Sequence, residues 1–132
     1  MKPDYTVNVR HVGDLHFELD NGRAVIATEW NQGTGTWQAT ELFIASLASC
    51  MLAMIVEFAQ RHGMAVQSGC TATITAVTRE EPTRMDDLTV RCHLPVNLDE
   101  TQLRTLQRVG EQCKVHHTIA AHPNVTLTVE GE

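Results

Sequence analysis

At 132 residues, 42% of them hydrophobic, the chain suits one domain with a real core, and at 5% aromatic that core must be mostly Val, Leu, Ile, Ala and Met. A formal net charge of −6, with no basic block and no RNP-like aromatic motif, argues against nucleic acid as the main partner. The opening MKPDYTVNVR lacks the apolar stretch of a secretory signal, so a cytoplasmic product is expected.

Residues 5–12 (YTVNVRHV) alternate, with Tyr5, Val7 and Val9 on one face, and read as a half-buried strand. Gly13-Asp14 supplies a turn into residues 15–19 (LHFEL), and Asp20-Asn21-Gly22 signals a hairpin into residues 23–29 (RAVIATE). The chain is therefore expected to open with an antiparallel meander. Residues 30–38 (WNQGTGTWQ) read as a connecting loop whose two tryptophans could line a site or, as expected here, anchor the loop.

Residues 40–62 (TELFIASLASCMLAMIVEFAQRH) form the organising stretch. About seventeen residues, 42–58, are nearly all apolar, close to the lower bound for a membrane span. Ser46 and Ser49 inside the run, Glu41 and Glu57 near its ends, and the lack of a flanking basic cluster favour the central helix of a soluble core instead. Thr40 is a candidate N-cap, Glu41 suits the positive end of the helix dipole, and Gly63 is a natural terminator.

Beyond it, residues 69–77 (GCTATITAV) and 88–94 (LTVRCHL) alternate as two strands, and residues 78–87 (TREEPTRMDD) read as a charged connection. This places Cys70 and Cys92 on the more apolar face of each strand, where a cysteine acts as a small hydrophobe. After Pro95, Asn97 or Asp99 can cap a helix over residues 100–109, with Leu103, Leu106 and Val109 at helical spacing. Gly110 is expected to break it, placing Cys113 in the first turn of a further helical piece running to Ala121. Pro123 stops that piece, and residues 124–130 (NVTLTVE) read as the last strand. The expected order is βββαββααβ, in a single α+β domain spanning residues 1–132.

The four cysteines, Cys50, Cys70, Cys92 and Cys113, form no CxxC pair, so reduced thiols are expected at rest and any disulfide is transient and chemical. Cys113 has His116, His117 and His122 nearby, but the usual zinc-ligand spacing is lacking and no metal is expected. A cysteine nucleophile attacks as thiolate, which requires something to lower its pKa. Cys50 lies about ten residues into its helix, beyond the first turn where the dipole acts, and no cation shares its helix face. Its activating group must come from elsewhere in the chain or from a second chain.

The segments TELFIASLASC and GEQCKVHHTI, in this order and with these elements between them, resemble the OsmC/Ohr family of thiol-dependent peroxidases. The resemblance spans nearly the whole chain and implies antiparallel sheets around a long central helix, in an intertwined homodimer with its sites at the subunit interface. It implies that Cys50 attacks the O–O bond of a hydroperoxide and becomes a sulfenic acid, and that Cys113 resolves it as a disulfide that an external dithiol reduces. Organic hydroperoxides are the implied substrates, no cofactor is implied, and a stress-response, antioxidant role follows.

Glu41 matches the family glutamate by position. Nine residues of helix nevertheless set it roughly 13 Å along the axis from Cys50, so either it orients a group that reaches Cys50 or it is a first-turn acidic residue. Arg10 and Arg23 are the candidates for the arginine that peroxidase members supply from their N-terminal hairpins, and His116 and His117 are further sources of positive charge. Two other functions stay open: a non-catalytic dimer binding an apolar small ligand at its interface, and an acyl-transfer enzyme with Cys50 as nucleophile.

Overall fold

The computed structural model describes residues 2–132 and divides into two compact units, Met1–Ile44 and Ala45–Glu132.

The first unit is built on a three-stranded antiparallel meander of β1 (Asn8–Gly13), β2 (His16–Asp20) and β3 (Val25–Glu29), in the order β1-β2-β3. The first turn is tight: Gly13 and Asp14 both take positive φ (137° and 44°), which glycine tolerates freely and Asp better than most residues. In the second, the Asp20 carboxylate accepts from the Gly22 amide at 2.7 Å and the Asn21 side chain from those of Arg23 and Ala24 at 2.8 and 2.9 Å, the self-capping that makes these residues turn formers. Residues 30–38 do not simply cross to the helix. The Glu29 amide donates to Trp37 O at 3.1 Å and the Trp37 amide to Ala27 O at 3.4 Å, a short parallel bridge beside the buried Thr28. The loop is thus anchored by its backbone, whereas both indoles, expected to be the anchors, stay exposed.

The helix α1 (Ala39–Arg61) runs from the first unit into the second. It starts one residue before the expected Thr40, and the Glu41 carboxylate accepts from the Gln38 amide at 2.8 Å, the N3 half of a capping box. It ends in a Schellman motif: Gly63 has φ 70°, its amide donates to Gln60 O at 3.3 Å and the Met64 amide to Ala59 O at 2.9 Å. Its length and composition would allow it to cross a membrane, and only Leu47, Ala48, Ile55 and Ala59 among its 23 residues are buried.

The second unit adds the antiparallel hairpin of β4 (Thr71–Arg79) and β5 (Arg84–His93), then α2 (Glu100–Gly110) and α3 (Lys114–Ala120). The hairpin is longer than its apolar pattern suggests. Residues 84–87, expected in the connection, belong to β5, and the turn is only residues 80–83. The polar ends of both strands are exposed, where alternation carries no burial signal, and Arg79 pairs with Asp87 at 2.6 Å across them. The core gathers Ile55, Ala59, Val66 and Leu106, with Cys70, Cys92, Leu94 and Leu98 packed against it. Of the two candidate caps, Asp99 forms the full capping box of α2, accepting from the Gln102 amide at 2.8 Å while its own amide donates to the Gln102 side chain at 2.9 Å.

One expected element is missing among the described residues. Residues 124–130 form no ladder, although Val125, Leu127 and Val129 keep their alternation and are 89%, 84% and 83% exposed. A strand needs a partner, and none of the described residues supplies one. The meander repeats the theme: β1 is exposed along its whole length, so the alternation around Val7 and Val9 marks an apolar face left open among the described residues.

Candidate functional site

Cys50 sits on α1, partly exposed. Three residues beyond the end of α2, Cys113 is 0% exposed, the largest fully buried side chain among the described residues. It does not lie in the first turn of α3, as the spacing suggests, but one residue earlier as its N-cap. Its φ and ψ of −70° and 147° are extended, and its sulfur accepts from the His116 amide at 3.2 Å, as a serine oxygen does at the same position.

Cys113 and Cys50 come together: the Cys50 side chain lies within hydrogen-bonding reach of the Cys113 thiol, although 63 positions separate them in the chain. Burial pushes the Cys113 thiol above its ordinary range, and the bond to Cys50 pushes it further, whereas the His116 and Val115 amides pull the other way. The pair is a buried thiol that keeps its proton, beside a more accessible sulfur.

The remaining sequence candidates make contacts of their own. The Glu41 carboxylate is occupied at the start of α1, on the Gln38 amide. Arg10 pairs with Glu18, its cross-strand neighbour, on the exposed meander, and Arg23 lies in the β2–β3 turn with its amide on Asn21. His116 contributes its backbone amide to Cys113, and the His116 and His117 rings face each other obliquely, 6.2 Å apart. Cys70, one residue before β4, and Cys92 on β5 both pack against the core, and burial first and then nearby Cys70 raise the Cys92 thiol. Among the described residues no three His, Cys, Asp or Glu side chains are grouped so as to hold a metal ion.

Two features escaped the sequence reading. One is Cys113 as a cap, for which the only signal is a small polarisable side chain after a helix-breaking glycine. The other is a close approach between helices. A Cβ placed on Gly110 would stand 2.9 Å from Ile55 Cδ1, 3.2 Å from Ile55 Cγ1 and 3.8 Å from the Met51 carbonyl oxygen, so the end of α2 lies against the turn of α1 that follows Cys50.

The family model described as OsmC-like protein matches residues 32–128, well over half of the chain and inclusive of both cysteines. The chain belongs to the OsmC-like family. This OsmC-like protein resembles in fold an osmotic stress and detoxification response candidate of Psychrobacter arcticus, at 27% identity and a TM-score of 0.79, over 89% of this chain and 90% of that one. It also resembles an organic hydroperoxide resistance protein, OsmC, of Legionella pneumophila (20% identity, TM-score 0.62, 89% and 91% covered) and the organic hydroperoxide resistance protein OhrB of Bacillus subtilis (20%, 0.58, 86% and 89%). No curated protein matches it. The element order of this OsmC-like protein, mixed α and β with antiparallel sheets and three helices, is that of its structural relatives.

Proposed function

We propose that this protein is a thiol-dependent peroxidase that reduces organic hydroperoxides. The contact between Cys50 and Cys113 carries the reading. Cys113 is sealed from solvent and keeps its proton, so a hydroperoxide meets Cys50 first. The Cys50 thiolate attacks one peroxide oxygen, the O–O bond breaks, and the departing alkoxide takes a proton to leave as alcohol. Cys50 is thereby oxidised to a sulfenic acid. Cys113 then attacks that sulfur, the S–O bond breaks, and hydroxide leaves with the Cys113 proton as water, forming the Cys50–Cys113 disulfide. An external dithiol returns both thiols by exchange and is itself oxidised to a disulfide. The wide apolar flank of Cys50 on α1 favours an organic hydroperoxide over hydrogen peroxide.

The working unit in this reading is a homodimer. Support comes from apolar surface that one chain leaves open: α1 with four buried residues, the uncovered face of β1, and the unpaired alternation of residues 124–130. Open apolar surface on this scale marks an association site.

The test is consumption of an organic hydroperoxide in the presence of a dithiol. Wild type should turn it over and Cys50→Ser should not; equal consumption by the two would defeat the proposal. Mass mapping of wild type after one equivalent of hydroperoxide should find Cys50 joined to Cys113, with Cys70 and Cys92 still free.

A further inference from the structure

We infer that Gly110 is a positioning residue for the resolving step: by having no side chain, it lets the end of α2 seat on α1 and so brings the Cys113 sulfur onto Cys50. This rests on the peroxidase reading for its chemistry, but the geometry stands by itself.

Gly110 is buried and is the last residue of α2. The space its Cβ would fill is held by Ile55, which is itself buried in the core with Ala59, Val66 and Leu106. A branched side chain on a helix has essentially one χ1 available, and its buried neighbours restrict the rest. Ile55 therefore has little freedom to give way. The Met51 carbonyl completes the contact, and Met51 directly follows Cys50.

On the other side of the contact the coupling to Cys113 is equally short. The Cys113 amide donates to Gly110 O at 3.4 Å, and the Glu111 amide to Gln107 O at 3.1 Å, so a tight turn hangs the cysteine directly from the seated glycine. The α2–α1 distance at Gly110 is thus handed to the two sulfurs through three residues. A methyl at Gly110 has to recover ordinary carbon–carbon contact, roughly 3.5–4.0 Å in place of 2.9 Å. That is a displacement approaching 1 Å, enough in a reaction between positioned groups to cost on the order of 100-fold in rate.

The step affected is closure of the disulfide, in which Cys113 sulfur attacks the Cys50 sulfenic acid and water leaves. The first oxidation, of Cys50 by hydroperoxide, does not use Cys113 and should persist.

The experiment compares wild type, Gly110→Ala and the double variant Ile55→Val/Gly110→Ala, in which the shorter side chain vacates the Cδ1 position. One equivalent of organic hydroperoxide is added, and sulfenic acid and disulfide are followed by trapping and mass spectrometry. In Gly110→Ala the sulfenic acid should still form and closure should slow by about 10- to 100-fold. The double variant should recover most of that loss.

A titration in glutathione redox buffers reads the same geometry without peroxide. The disulfide-to-dithiol ratio at fixed poise should drop about tenfold in Gly110→Ala, equivalent to about 30 mV, and return in the double variant. A folded Gly110→Ala with wild-type closure and ratio overturns the inference. So does a loss that the double variant fails to relieve. A Gly110→Ala chain that does not fold would assign the glycine to packing alone, which also overturns it. Should hydroperoxide leave wild-type Cys50 untouched, the peroxidase reading fails, while the glutathione titration still decides the role of Gly110.

Discussion

Replacing Cys113 by serine in the fully reduced protein tests the electrostatics of the site without recourse to peroxide. Folding buries this thiol completely and raises its pKa, chiefly through burial and then through its bond to Cys50. An unfolded cysteine ionises near pH 8.5. Below that pH both states hold the proton and the thiol makes stability no function of pH. Above it the unfolded chain has released the proton and the folded one has not, so the folded state binds more protons and stability falls as pH rises, until the buried thiol itself ionises. The slope in that window is about −1.4 kcal/mol per pH unit for one such thiol. Cys92, also raised by burial and by Cys70, adds a second contribution with the same sign.

Serine retains a hydroxyl able to accept the His116 amide but does not titrate. Urea unfolding at intervals from about pH 7.5 to 10.5, with excess reductant, should therefore show wild type losing stability more steeply than Cys113→Ser, by up to about 1.4 kcal/mol per unit. Parallel curves for the two proteins would refute the claim that folding holds the Cys113 proton. They would also remove the argument that Cys113 waits as a protonated thiol while Cys50 reacts.

Three further outcomes are expected. Leu106→Ala opens a cavity where a 4%-exposed side chain meets Ile55, Ala59 and Val66, and should cost about 2–5 kcal/mol in denaturant unfolding. Asp99→Ala removes one side of the α2 capping box and should cost about 1 kcal/mol, whereas Asp99→Asn, which can still accept from the Gln102 amide, should cost much less. Wild type should sediment as a dimer in analytical ultracentrifugation, and Leu127→Asp, which places a charge in the unpaired apolar alternation of residues 124–130, should shift the population toward monomer.

Legibility followed the range of the interaction responsible. Asp20-Asn21-Gly22, Asp99 and Gly63 each satisfy backbone groups within a few residues, and each was readable as a turn, a cap or a terminator. The alternation of Ala72, Ile74, Val90 and Cys92 located the inner face of the hairpin, because that face is partly covered by the core. Where burial did not discriminate, the pattern misled: the polar first half of β5 pairs as well as the apolar second half, and the alternation of β1 and of residues 124–130 meets no cover among the described residues. In the 30–38 loop the amides do the anchoring and the tryptophans stay exposed, because the bridge to the meander is made by backbone groups that carry no sequence signal.

The sequence by itself determined which thiols were candidates and on which elements they stand, since helix periodicity, strand alternation and the two cysteine segments are properties of neighbouring residues. Only the tertiary structure decided that Cys50 and Cys113, 63 positions apart, come together. The physical reason is the contact at Gly110. A glycine in a sequence announces freedom of the backbone, but whether its missing side chain is a turn, a break or a seat for Ile55 depends on what the fold brings against it.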